Sequence, residues 1–177
     1  MQKMLFFFLV FALPFSFFGQ NDSGEPLYKK FPTLPSFSIL GIDSSTHFTQ
    51  NDLKKNKSTL IMIFSPDCDH CKKETQGIVD SINRFKKIQI VMATPLAFEK
   101  MKTFYELFRL GQYDNIIVGQ DTQFTLPNFY KIRILPTLAF YDKKGKLIGI
   151  REGDMGVDDI LKKFEEKTNN RQPETAN

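Results

Sequence analysis

The chain has 177 residues, the size of one domain, and its 41% apolar and 14% aromatic content is enough to fill a sizeable core. The formal charge is +4, with Lys and Arg interspersed among Asp and Glu rather than blocked, a pattern without a nucleic-acid footprint. Two cysteines and two histidines leave little material for a metal centre.

Met1-Gln2-Lys3 supplies a short positive region, and Leu5 to Phe18 (LFFFLVFALPFSFF) is apolar except for Pro14 and Ser16. Fourteen residues are too few to span a bilayer comfortably and match the core of a signal peptide, closed here by Gly19. Residues 1–19 are therefore expected to be a signal peptide, with an uncleaved membrane anchor as the alternative. The expected location is the periplasm or cell envelope. No cysteine follows the apolar core, which argues against a lipoprotein anchor.

The polar stretch up to Pro35, with Pro26 and Pro32, reads as extended, and residues 20–32 form a lead-in to the domain. A first strand is expected over Ser36–Leu40. TLIMIF, Thr59–Phe64, is a continuous apolar run bounded by polar residues and Pro66, the pattern of a strand buried on both faces. From Cys71 the sequence turns helical, with Ile78, Ile82 and Phe85 at helical spacing. Ile88–Ala93 reads as a second buried strand. Phe98, Met101, Phe104 and Phe108 mark an amphipathic helix ending near Gly111. Asn115–Gly119 is a short strand, and residues 123–131 hold one or two helical turns. TLAFYD and KLIGIRE flank Asp142-Lys143-Lys144-Gly145 as a hairpin. Val157–Glu166 closes the domain as a helix, and residues 168–177 form a disordered tail. This order predicts an α/β domain with a central mixed sheet and helices on both faces.

SPDCDHCKKE, residues 65–74, holds both cysteines. A disulfide between Cys68 and Cys71 closes a tiny loop and constrains the unfolded chain little, so it is a poor staple. Reactivity is the better reading. The pair stands at the carboxyl end of a buried strand and the start of a helix, where open α/β sheets place their chemistry. Unpaired N–H groups and the helix dipole favour a thiolate at Cys68, and Cys71 lies one turn in, more buried, placed to attack the Cys68 sulfur. His70, if protonated, favours that thiolate, while Asp67 and Asp69 oppose it. Which wins is left open at this level. A zinc site needs two further ligands, and His47, some twenty residues upstream on an expected loop, reads as a surface residue; no metal is expected.

With these residues in view, 33–167 resembles the thioredoxin-like proteins of the TlpA/ResA type, exported thiol–disulfide oxidoreductases. LPSFSIL, TLIMIFSPDCDHCKKE and FYKIRILPTLAFYDKKGKLIGI carry the likeness. It implies a thioredoxin fold, no cofactor, Cys68 as the exposed nucleophile, Cys71 as the resolving cysteine and Pro136 as a cis-proline opposite the pair. It also gives Glu74 a role in relaying protons to Cys71; spacing adds only that Glu74 can share a helix face with it, which a solvated carboxylate would also do. Asp67 stands where the family usually has Trp, Asp69-His70 replaces the commoner Glu-Pro or Pro-Pro, and Leu135 precedes the proline. These are the positions where partner choice and redox potential would differ from relatives.

The resemblance implies a monomeric envelope reductant, passing electrons from a membrane donor to thiols and disulfides of exported proteins, apocytochromes in cytochrome c maturation among them. A disulfide-donating oxidase is the alternative, with His70 as its argument. A non-catalytic partner-binding module or metal chaperone is the third reading.

Overall fold

Alternation along the central strands divides the interior into two cores, one on each face of a single sheet. Leu60, Met62 and Phe64 point to one side with Ile90, Met92, Leu138 and Phe140, while Ile61, Ile63, Val91, Ala93, Ala139 and Tyr141 point to the other. A computed structural model describes residues 24–169, so the expected leader over 1–19 and residues 170–177 of the expected tail over 168–177 lie outside the described residues, while 168 and 169 belong to the last helix. The elements are α1 (Leu27–Lys30), β1 (Ser38–Gly41), β2 (His47–Thr49), β3 (Ser58–Ile63), α2 (Asp69–Asp80), β4 (Ile88–Thr94), α3 (Phe98–Leu107), β5 (Ile116–Gln120), α4 (Thr125–Tyr130), β6 (Thr137–Tyr141), β7 (Leu147–Glu152) and α5 (Val157–Asn169).

The strands run β2-β1-β5-β4-β3-β6-β7 across the sheet. β3, β4 and β5 are mutually parallel and every other neighbouring pair is antiparallel, so the sheet is mixed as expected. Ile78 of α2, Met101 and Phe104 of α3 and Ile160 of α5 cover one face; Leu126 and Tyr130 of α4 cover the other. Each large side chain buried here is worth about 1.5–3 kcal/mol over its exposed state. Truncating a fully buried strand residue such as Leu60 to Ala should cost about 2–5 kcal/mol, the cavity included.

Three details differ from the expectation. The lead-in is not wholly extended: Leu27–Lys30 makes a helical turn, and the ring of its Tyr28 lies 6.1 Å from that of Tyr130. His47 lies on the short edge strand β2 rather than in a loop, exposed and within 3.1 Å of the Ser38 hydroxyl. The helix containing Ile78 stops at Asp80, and Ile82–Phe85 forms a separate 3₁₀ turn that still buries Phe85.

Register decides what meets at the carboxyl end of β3. Ile63 pairs with Thr137, and Thr137 pairs with Glu152. The residues after β3, those before β6 and those after β7 therefore emerge side by side. The Gly153 N–H donates to the Pro136 carbonyl at 2.8 Å, with Gly153 at φ +83, a left-handed conformation that suits glycine. Residues 64–68, 134–136 and 153–156 thus share one end of the sheet.

Candidate active site

After β3 the chain turns sharply before α2. The Cys68 N–H donates to the Ser65 carbonyl at 3.1 Å, and the Asp67 N–H to the Ser65 hydroxyl at 3.3 Å. This places Cys68 at the N-cap of α2, where its Sγ accepts the Cys71 N–H at 3.3 Å. The sulfur takes the place a serine or aspartate oxygen usually fills at a helix start. On its other side the Cys68 thiol donates to the Leu135 carbonyl at 3.8 Å. Both cysteines are free thiols; Cys68 is partly exposed and Cys71 is buried.

Cys71 is fully buried, and burial pushes its thiol well above the ordinary range, helped by the bond to Cys68 and the nearby charges of Cys68 and Glu74. Glu74, one turn further on, is only 3% exposed. Burial pushes its carboxyl up to about 7, against the Met155 N–H, which donates to Oε2 at 2.7 Å and favours the carboxylate. The neighbouring Asp154 raises Glu74 further and Lys73 lowers it. Solvent reaches this group through a surface pocket of about 440 Å³ lined by Lys73, Glu74, Gly77, Asp154, Met155 and Val157.

The charged neighbours of Cys68 each have an opposite partner. Asp67 meets Lys100 of α3 at 2.5 Å and Asp69 meets Lys72 at 3.1 Å. His70 Nδ1 lies 2.9 Å from Asp154, which Lys73 also reaches at 3.1 Å. The Lys73 and His70 contacts hold the Asp154 carboxyl below its usual range. Each of the three flanking residues is thus engaged by a partner of its own.

The Leu135–Pro136 peptide bond is cis, and Pro136 is buried beside the pair through the β3–β6 register. Cys68, Cys71, Glu74, Pro136, Asp67, Asp69 and His70 are thus gathered at one end of the sheet. His47 is not, since β1, β5 and β4 stand between β2 and β3. Sequence reasoning missed Lys100, the Leu135 carbonyl, Asp154 and Met155. No local signal points to them, because each reaches the site from more than thirty residues away along the chain.

A family model for the thioredoxin-like domain matches residues 49–168. The chain belongs to the thioredoxin-like domain family. Solved structures agree on the fold. A Neisseria meningitidis protein assigned as a thioredoxin is 21% identical, with a TM-score of 0.63, covering 82% of this chain and 94% of that one. The pneumococcal exposed lipoprotein thioredoxin Etrx1 from Streptococcus pneumoniae is 24% identical, with a TM-score of 0.59, covering 75% and 99%. A secreted Mycobacterium tuberculosis disulfide oxidoreductase, homologous to E. coli DsbE, is 18% identical, with a TM-score of 0.60, covering 72% and 92%. No curated protein matches the chain in sequence. The thioredoxin-like fold carries the Cys68–Cys71 pair at the start of α2, where a partly exposed sulfur is backed by a buried one.

Proposed function

We propose that the protein is a thiol–disulfide oxidoreductase of the cell envelope, of the TlpA/ResA type, acting as a monomeric reductant of disulfides in exported proteins. The observation that carries this reading is the asymmetry of the pair: a partly exposed, N-capping Cys68 backed by a buried Cys71. The Cys68 thiolate attacks one sulfur of the target disulfide; the target S–S bond breaks, a mixed disulfide forms and the first target thiolate takes up a proton. Cys71 then gives its proton to the Glu74 carboxylate and attacks the Cys68 sulfur. The second target thiolate leaves and is protonated in turn. Two electrons and two protons pass to the target, and a membrane electron donor restores the dithiol.

Envelope placement rests on the leader-like residues 1–19 and accords with relatives described as secreted or as an exposed lipoprotein. Among the described residues no helix is long and apolar enough to cross a membrane. Pro136 and the Leu135 carbonyl form the wall on which the partner chain docks. Apocytochromes are the substrates that the TlpA/ResA resemblance suggests. The alternative of a disulfide-donating oxidase draws on His70, whose Nδ1 lies 2.9 Å from Asp154. Cys71→Ser should trap stable mixed disulfides with envelope proteins, and the parent protein should titrate near the thioredoxin potential, about −270 mV. Recovery of small thiols alone would favour a non-catalytic binding module, and a potential near −120 mV an oxidase.

A further inference from the structure

The surface around Cys68 is electrostatically two-sided. Toward α3 its acids are matched by lysines, Asp67 by Lys100 and Asp69 by Lys72. On the opposite side, next to the residues preceding β6, lies a surface pocket of about 620 Å³. Lys29, Lys131, Arg133 and Arg151 line it, with Glu152 the one acidic lining residue. The cations outnumber the acids here, four against Glu152 and the Glu25 beside Lys29. Lys131 Nζ donates to the backbone carbonyl of Gly24, a neutral acceptor. Lys29 meets Glu25 only at 3.9 Å. Glu152 accepts the backbone N–H of Arg133 at 3.1 Å rather than a guanidinium. Among the described residues neither Arg133 nor Arg151 has an ion-pair partner for its side chain.

Chain continuity ties this pocket to the reacting sulfur. Arg133 and Ile134 line it, and the next carbonyl, that of Leu135, lies 3.8 Å from Cys68 Sγ. One or two residues of extended chain span roughly 3.5–7 Å, so the cations begin within a few residues of any sulfur that bonds to Cys68. Ile134 stands between them, 55% exposed, an apolar surface next to the charged one. A small inorganic anion has no use for that apolar contact, whereas a polypeptide can cover it and reach the cations with the next side chains. Guanidinium groups present a planar fork that suits carboxylates in particular.

We propose that this pocket is a subsite for the partner polypeptide, taking Asp or Glu side chains that lie within a few residues of the partner's cysteine, with an apolar residue between them over Ile134. The inference rests on Cys68 being the attacking thiol. Its cations are exposed, so they act chiefly on encounter rate and salt dependence.

The test uses the reduced full chain and two disulfide-bonded peptides, identical except that Asp and Glu beside the cysteine in one become Asn and Gln in the other. The uncharged 2-hydroxyethyl disulfide is run alongside. At low ionic strength kcat/KM should be about five- to tenfold higher for the acidic peptide, and the ratio should fall toward one as salt is raised. The double substitution Arg133→Gln with Arg151→Gln should bring the ratio to about one at low salt, a readout that a merely structural defect would not move. Equal rates for the two peptides, or a ratio that survives the double substitution, would overturn the subsite while leaving the oxidoreductase reading intact. Failure to exchange even 2-hydroxyethyl disulfide would overturn that reading and the subsite with it.

Discussion

Cys68 and Cys71 are the same residue type one helical turn apart, yet they sit in different media. Cys68 caps the helix, keeps contact with solvent and has a backbone N–H on its sulfur. Cys71 is fully enclosed, and Glu74, three residues further along the helix, is almost as deep. A thiol of the first kind can attack an incoming disulfide, since its charged form is solvated and hydrogen-bonded. A thiol of the second kind stays protonated until a base takes its proton, so resolution of the mixed disulfide waits on that proton transfer. Position on the helix, more than residue identity, divides the labour.

The largest effect should come from erasing one side of this comparison. Cys68→Ala should reduce exchange with protein disulfides to background, measured as insulin or peptide disulfide reduction, because the buried Cys71 cannot reach a partner. Appreciable turnover by the variant would mean that the two thiols are not divided as described.

Glu74→Gln should act through pH. The folded carboxyl titrates near 7 and an unfolded one near 4.5, so the folded state holds the proton more tightly. The stability this contributes is complete below about pH 4.5 and is lost as pH rises to about 7, an effect on the order of 3 kcal/mol. Denaturation midpoints of the parent should therefore fall across that window, and those of Glu74→Gln should stay flatter. The same variant should simplify the pH profile of exchange toward a single thiol transition. Superimposable profiles for variant and parent would retire the proton-relay role.

Asp154→Asn should give the smallest change. Its carboxylate raises Glu74 and occupies Lys73, which otherwise lowers Glu74, so both consequences of its loss run the same way. The Glu74-linked step, followed by carboxyl infrared absorption or by NMR, should move to lower pH by less than about one unit. Movement to higher pH would contradict the assignment of Asp154 as the neighbour that holds Glu74 up.

Much of this arrangement was legible in the residues themselves. Unbroken apolar runs such as TLIMIF mark strands covered on both faces, and a C-x-x-C directly after one marks a strand-to-helix site. Helical spacing is enough to put Glu74 on the side of Cys71. What was hidden depends on chain segments meeting in space. β2 is three residues long with Phe48 as its single apolar member, too short for a period to register. The α1 turn sets the ring of Tyr28 near that of Tyr130, a hundred residues away. The pairing of His70 with Asp154 spans 84 positions and follows from the β6–β7 register, so the sequence could pose the competition among His70, Asp67 and Asp69 without resolving it. The cations beside Ile134 are scattered from Lys29 to Arg151 and form a patch only after folding.

The division between the two cysteines is tested most directly by alkylating the reduced protein at pH 7 with less than one equivalent of iodoacetamide and mapping the modified residue by mass spectrometry. Label should accumulate on Cys68 while Cys71 stays unmodified until the chain is denatured. Label appearing first on Cys71, or equally on both, would contradict the account of an exposed attacking thiol backed by a buried resolving one.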